Sequence, residues 1–236
     1  MLSYVNRKLV TYYPHLRRTS SGREVYVMTR TSDGALEQLP PGMEIVENVN
    51  AQVSVRMRRP RNITADAESQ VRTALNRLEL KHYRLEVKDR EIIICEPRYD
   101  TDNVVNSLYD YFNADTLRSM VLEQARAKAG DHSTNAYLQQ RREEARAALQ
   151  RDQDYEPVLK FTLSRQSGRC FTVERMKYTG EGGWRFVNVV TLEEAVCKYL
   201  PTLGKESFFE MQAREHPQPM VFAAGATNRR TSRLWR

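Results

Sequence analysis

The sequence predicts an α+β protein, and three observations carry that prediction. Several short segments alternate apolar and polar residues, as half-buried strands do. Other segments repeat apolar residues every three to four positions, as amphipathic helices do. The two kinds occur in blocks rather than in strict alternation, which favours antiparallel sheets with added helices. The chain has 236 residues, a length that suits one large domain or two small ones.

We expect two small antiparallel-sheet-plus-helix units joined by a helical segment, with a flexible basic C-terminal tail. The predicted boundaries are an N-terminal α+β domain over 1–113, a helical connector over 114–153, a small C-terminal α+β domain over 154–212 and a mobile tail over 213–236. The tail is predicted mobile because its prolines, glycine and arginines follow no period.

The first 62 residues indicate strands and turns. Residues 23–30 alternate, and turn signals follow at 32–34 and 40–42. The segment 53–58 also alternates, so that Arg56 and Arg58 project together from the face opposite its valines. Pro60 is expected to end that strand because it lacks a backbone donor.

The clearest helix covers 64–79, where Thr64 is a suitable N-terminal cap. A hairpin over 82–97 follows, and its run of three isoleucines, 92–94, predicts a strand buried on both faces. A second helix is expected over about 101–112, since apolar residues repeat along one side.

The connector is predicted to be helical in two pieces. Asp115 caps a first segment that ends near Gly130. Residues 134–151 are rich in Ala, Gln, Glu and Arg, which favour helices, but their apolar stripe is thin. This second piece is either an exposed connector or one half of an antiparallel helical pair.

The C-terminal unit is predicted to hold three strands and a helix. Two alternating segments begin near 158 and 170, a glycine-rich turn lies at 180–183, and a third strand starts at Trp184. Thr191 and Glu194 have the spacing of a capping box, which opens a helix that Pro201 ends. A short final helix is expected over 207–211.

Three stretches of the chain resemble a family of uncharacterised bacterial proteins of similar length. They are PPGMEIVENVNAQVSVRM (40–57), YEPVLKFTLSRQSGRCFTVERMKYTGEGGW (155–184) and TLEEAVCKYLPTLGKESFFEM (191–211). The resemblance implies a bacterial, cytoplasmic protein in two parts and brings no activity with it. Members of that family tend to have acidic residues just before the tryptophan, where this chain has Gly182 and Gly183.

Positive charge is concentrated at the two ends of the chain. Residues 1–62 hold ten Lys and Arg against five Asp and Glu, and residues 213–236 hold five against one. The 150 residues between them hold 22 against 24, which gives the net charge of +7 for the whole chain. Clustered charge of one sign makes a local field that attracts a polyanion.

The leading functional hypothesis is therefore a non-enzymatic nucleic-acid-associated protein that binds mainly through phosphates, since arginine matches phosphate geometry. The partner would be DNA or RNA. A structural or adaptor protein that recruits a protein partner is the alternative, and a solvated strand edge protected by charge explains the same arginines. The candidate nucleic-acid-binding residues are Arg56, Arg58, Arg59, Arg61, Arg17, Arg18, Arg229, Arg230, Arg233 and Arg236.

No motif for catalysis, metal binding or phosphate binding stands in the sequence, so we expect neither an enzyme nor a cofactor. The four histidines are too dispersed for a zinc site. No apolar run reaches the roughly 20 residues that span a bilayer, so no membrane partner is expected. Cys95, Cys170 and Cys197 lie beside apolar residues and are expected to be free and buried, as in a reducing cytoplasm. The oligomeric state is left open.

Overall fold

The computed structural model describes residues 1–112, 123, 134–166, 168–177 and 182–211. The N-terminal part forms two small antiparallel sheets. Strands β1 (Tyr4–Val5), β2 (Thr11–Arg18) and β3 (Glu24–Thr29) make a three-stranded sheet in that order. Strands β4 (Met43–Glu47) and β5 (Val53–Met57) make a separate hairpin, which packs beside β3. The predicted strands and turns of this part are therefore present.

The largest element is a five-stranded antiparallel sheet with the order β10-β9-β8-β7-β6. Strand β7 lies inside the sheet, next to the edge strand β6, and its isoleucines 92–94 are buried on both faces of the sheet, as the sequence predicts. The bounds of the five strands are β6 Arg84–Val87, β7 Glu91–Pro97, β8 Tyr155–Leu163, β9 Cys170–Lys177 and β10 Gly183–Thr191.

This sheet joins the two units that the sequence assigned to separate sheets. Strand β7 of the predicted 1–113 domain pairs with β8 of the predicted 154–212 domain, with Ile92 opposite Phe161 and Ile94 opposite Leu159. The isoleucines of β7 are buried on both faces because Ile92 and Ile94 pack into the main core, while Ile93 packs with Cys95 and Tyr155 on the other face. The α+β class is shown. The two sheets that were predicted separately for these segments form one continuous sheet.

Two helices cover one face of the five-stranded sheet and form the main core with it. They are α1 (Ala65–Arg77) in the N-terminal half of the chain and α4 (Leu192–Tyr199) in the C-terminal half. Both begin at the predicted caps: the Thr64 hydroxyl accepts a hydrogen bond from the Ala67 amide, and Thr191 and Glu194 form the capping box. The core side chains include Phe161, Ile92, Ile94, Leu159, Val71, Ala74, Leu75, Ala195, Val196 and Tyr199.

Helices α2 (Thr101–Phe112) and α3 (Thr134–Asp152) pack against each other. Arg146 of α3 donates a hydrogen bond to the carboxylate of Asp102 on α2 at 2.7 Å. Of the two alternatives for 134–151, the helical pair is therefore the one observed, because the thin apolar stripe is supplemented by polar contacts. A short 3-10 turn (Leu200–Thr202) and helix α5 (Glu206–Phe209) end the described chain near 211.

Some predictions fall on residues outside the described ranges. The predicted helical segment from Asp115 to Gly130 lies there almost entirely, as does the basic tail 213–236. Half of the predicted turn at 180–183, residues 180 and 181, lies there as well.

We expect Phe161→Ala to lower the free energy of unfolding by about 3–5 kcal/mol, since it removes a fully buried ring at the centre of the shared sheet. Leu108→Ala is the matched control, because Leu108 is 45% exposed and its loss should change stability by less than about 0.5 kcal/mol. Urea denaturation followed by circular dichroism measures both. Equal effects of the two substitutions would contradict the assignment of Phe161 to the core.

Candidate binding cleft

A cleft of about 800 Å³ lies between the β4–β5 hairpin and strand β6. Three runs of residues line most of it, and their spacing shows how each strand faces it. Residues 44–49 and 84–88 line it consecutively, so β4 and β6 present their strand edges. From the β5 side every second residue lines it, namely Gln52, Ser54 and Arg56, so the hairpin also presents one of its faces.

The loop between β4 and β5 holds the hairpin in place against the five-stranded sheet. The Asn50 side-chain amide donates to the Tyr155 carbonyl oxygen at 3.0 Å, and its Oδ1 accepts from the Tyr155 amide at 2.6 Å. Tyr155 is the first residue of β8 and is 4% exposed. This paired contact anchors one end of the cleft, because it satisfies both polar backbone groups of a buried residue.

Arg7 strengthens the same junction. Its guanidinium donates to the carbonyl oxygens of Val49 at 2.8 Å, Arg151 at 2.7 Å and Gln153 at 3.0 Å. It also lies over the Tyr155 ring, 5.4 Å from the centroid. One side chain thus links the N-terminal segment, the hairpin loop and the C-terminal end of α3, where carbonyls lack partners within the helix. Arg7 is structural rather than available to a ligand.

The lining of the cleft is strongly charged with both signs. Six basic side chains face four carboxylates, an excess of two positive charges. The basic residues are Arg7, Arg56, Arg61, Arg72, Arg84 and Lys88, and the acidic ones are Glu44, Glu47, Glu68 and Glu86.

Two of the carboxylates are each shared by two arginines. Glu44 lies 3.0 Å from Nε of Arg56 and 3.7 Å from Nε of Arg58. Glu68 lies 2.8 Å from Arg72 and 3.9 Å from Arg61. Exposed ion pairs of this kind add little to stability. Their effect is to hold the guanidinium groups at the cleft while leaving one positive charge at each carboxylate.

The structure brings together only some of the candidate arginines. Arg56 and Arg61 line the cleft, while Arg58 and Arg59 are exposed beside it. Arg17 and Arg18 lie at the end of β2 and do not line it, and Arg18 pairs with Glu24 at 3.1 Å. Arg229, Arg230, Arg233 and Arg236 lie outside the described residues, so their part stays a prediction.

Several lining residues were not among the candidates, although some left a signal in the sequence. Arg72 follows Glu68 by four positions on a predicted helix, a spacing that indicates an ion pair. Arg84 and Lys88 alternate with apolar residues along β6, which places their side chains on the sheet face opposite the main core. Arg7 left no such signal in the sequence, because the residues that it contacts lie more than 40 positions away.

The cysteines differ in environment, contrary to the prediction that all three are buried. None of the three forms a disulfide, but Cys95 is buried, Cys170 is intermediate and Cys197 is exposed. Cys197 lies on α4 between Ala195 and Tyr199, which face the core, so the helical rotation of about 100° per residue turns Cys197 outward. Burial, with a smaller contribution from Glu86, raises the pKa of the Cys95 thiol to about 12.

A smaller cavity of about 180 Å³ lies beside α2, with His82, Tyr83, Glu96 and Asp100 in its lining. Burial, then the charge of Glu96, raises the pKa of Tyr83 to about 12, so this phenol stays protonated at neutral pH. Asp100 accepts hydrogen bonds from the amides of Asp102 and Asn103 and caps α2. The titratable groups here are thus explained by packing and capping.

Within the described ranges, no cluster of three or more His, Cys, Asp or Glu side chains is placed to hold a metal ion. In the same part of the chain, no helix combines the length and the apolar character needed to cross a bilayer.

Comparison of the chain with protein-family models, curated proteins and solved structures finds no match. The resemblance of 40–57, 155–184 and 191–211 to an uncharacterised bacterial family therefore stays a prediction. At the position where that resemblance predicts a difference, Gly183 opens β10 and the Lys160 ammonium lies 4.5 Å from the centroid of the Trp184 ring.

We expect iodoacetamide at about pH 8 to alkylate Cys197 far faster than Cys95, because the thiolate is the reactive form and the raised pKa keeps Cys95 protonated as well as buried. Raising the pH to about 10 should leave Cys95 unmodified for the same reason, as long as the protein stays folded. Peptide mass mapping measures both sites, and unfolding in urea is the control that makes both react. Equal rates in the folded protein would contradict the placement of Cys95.

Proposed function

We propose that the chain is a non-enzymatic binding protein that recruits a protein partner by holding an acidic segment of that partner in the cleft. The observation that carries the proposal is the charge pattern of the lining, in which five cations besides the structural Arg7 share one space with four carboxylates. Complementary charge of this kind gives specificity and speeds encounter between proteins.

The four carboxylates favour a peptide over a phosphate polymer. Glu44 and Glu68 sit directly against the arginines that the sequence offered for phosphate binding, so each incoming phosphate would meet a negative charge. No aromatic side chain is found among the described residues that line the cleft, so bases have no surface there on which to stack. A peptide with excess acidic residues can pair with the surplus cations and still donate backbone and side-chain hydrogen bonds to the carboxylates.

A cytoplasmic setting is part of the proposal. Disulfides are rare in a reducing compartment, and none of the three cysteines of the chain forms one.

Selection from a displayed library of random dodecapeptides on the immobilised full chain tests the proposal. We expect the selected peptides to be enriched in Asp and Glu. Arg61→Gln with Arg72→Gln should weaken their binding about tenfold, since two cations of the cleft are lost. Fluorescence polarisation of the labelled peptides gives the affinities.

The matched control is Arg17→Gln with Arg18→Gln, which removes the same charge from β2, away from the cleft. Binding to this variant should equal that of the unchanged protein. Peptides without acidic enrichment, or equal losses in the two double variants, would show that the cleft is not the binding site.

Nucleic-acid binding is the second candidate, and one observation favours it. Arg58 and Arg59 are exposed just after β5 and do not line the cleft, and Nε of Arg58 lies 3.7 Å from Glu44. The Arg58 side chain is 73% exposed, and a guanidinium group matches the geometry of a phosphate. The C-terminal arginines belong to the same hypothesis.

For this candidate we expect a labelled DNA or RNA duplex to bind with an affinity that falls steeply between about 50 and 200 mM salt. Arg58→Gln with Arg59→Gln should make the plot of log affinity against log salt shallower by about two, one unit for each lost phosphate contact. Arg165→Gln with Arg169→Gln is the control here, because it removes the same charge at two exposed positions that are not candidate binding residues. No measurable duplex binding at the lowest salt would exclude this candidate.

A further inference from the structure

Strand β6 forms one edge of the five-stranded sheet, and its outer backbone groups face the cleft. Along an antiparallel pair, every second residue bonds to its neighbour while the others point away. The Lys88 amide donates to the Glu91 carbonyl oxygen at 2.9 Å, which sets this alternation. Leu85 and Val87 lie opposite Ile94 and Ile92 in the pairs that do not bond, so their N–H and C=O groups point outward.

Among the described residues, none forms a hydrogen bond with these outward N–H and C=O groups of β6. The hydrogen bonds of the described chain include none from the backbone of Leu85 or Val87 to a partner beyond β7. Exposed edge groups of this kind form a ready template for another strand. Leu85 and Val87 both line the cleft, although their side chains pack against the main core, so they reach the cleft through their backbone edge.

The β4–β5 hairpin forms the opposite wall of the cleft. It too turns backbone N–H and C=O groups toward the cleft. The Asn48 amide donates to Gln52 at 3.1 Å and the Arg58 amide to Gly42 at 2.7 Å, which sets the alternation of the β4–β5 pair. By the same rule, Ile45 and Glu47 of β4 turn their backbone groups outward, and both line the cleft. Two strand edges therefore open into one space.

The charged side chains of β6 do not cover this edge. Arg84 donates through Nε to the Tyr155 hydroxyl at 3.3 Å and lies over the Tyr155 ring, so it is held on the sheet face. Glu86 and Lys88 pair with each other at 3.7 Å. Long charged side chains protect an edge when they extend across it, and these three are engaged elsewhere.

We propose that the acidic partner segment binds as an extended strand that pairs with β6, so that it becomes the sixth strand of the sheet. This inference rests on the proposed function and specifies how the partner is held. Main-chain hydrogen bonds to Leu85 and Val87 supply affinity, and alternate side chains of the guest strand supply specificity.

The charge of the cleft sets the chemistry of the guest. The Asn62 amide donates to the Asp89 carbonyl oxygen at 2.9 Å, which brings Arg61 beside the turn that follows β6. Arg61, Arg72 and Lys88 thus lie toward the Val87 end of the edge, with Glu68 shared between the two arginines. Acidic side chains of the guest strand are placed to pair with these cations.

The first experiment uses the tightest-binding acidic dodecapeptide from the selection described above, prepared with a single N-methyl group at each backbone position in turn. We expect a period of two: methylation of the amides that donate to Leu85 and Val87 lowers affinity about tenfold, and methylation of the intervening amides has little effect. Losses without this alternation, while binding still depends on Arg61 and Arg72, would overturn strand pairing and leave the proposed function standing. Failure to select any cleft-dependent peptide would overturn both.

The second experiment changes the protein. Val87→Pro removes the outward N–H of β6 without removing a bond to β7, and proline is tolerated at such an edge position. Val87→Thr is the matched control, because it retains the amide and the branched shape. We expect Val87→Pro to weaken binding of the same peptide about tenfold and Val87→Thr to leave it unchanged.

Amide hydrogen exchange tests the same pairing in the unchanged protein, so it decides the question even if Val87→Pro fails to fold. Binding of the peptide to the unchanged protein should slow exchange at Leu85 and Val87, since both amides gain an acceptor. Unaltered exchange at these two amides under saturating peptide would overturn the proposal.

Discussion

The junction at Tyr155 is the contact on which the shape of the cleft depends. Asn50 bonds both backbone groups of this residue, and Arg7 lies over its ring while it donates to carbonyls of the hairpin loop and of the end of α3. These hydrogen bonds bridge 42 to 146 positions in sequence, so they fix the hairpin against the sheet without any local preference. Without them, β4 and β6 would belong to two unconnected surfaces and no common space would lie between them.

The continuous sheet has a second consequence for the site. Because β7 pairs with β8, the two halves of the chain share one core, and β6 becomes the end of a five-stranded sheet rather than half of an isolated hairpin. An isolated hairpin is marginally stable and would present a poorly ordered edge. Backed by four further strands and two helices, β6 presents Leu85 and Val87 in a fixed geometry, which lowers the entropy cost of binding an extended segment.

Local features of this fold could be predicted from the sequence, whereas the pairing of distant segments could not. Thr64, Thr191 and Glu194 act within one turn of their helices, so their caps follow from spacing alone. The isoleucines of β7 indicated a strand buried on both faces. Their pattern does not identify the second strand that pairs with β7, which lies more than 60 residues away. The exposed positions of Arg56 and Arg61 could be proposed from the local sequence. The contribution of Arg7 could not, because it depends on contacts that no local pattern encodes.

The carboxylates change the meaning of the arginines. From the sequence, Arg56, Arg58, Arg59 and Arg61 form a basic cluster, because Glu44 lies 12 positions from Arg56 and Glu68 lies seven from Arg61, and neither spacing indicates a contact. In the fold each carboxylate lies between two guanidinium groups, which reduces the field available to a polyanion and leaves an ordered, two-signed surface. Such a surface discriminates between partners better than it attracts them. A strand edge binds any extended backbone, so a protein that uses one needs this kind of discrimination beside it.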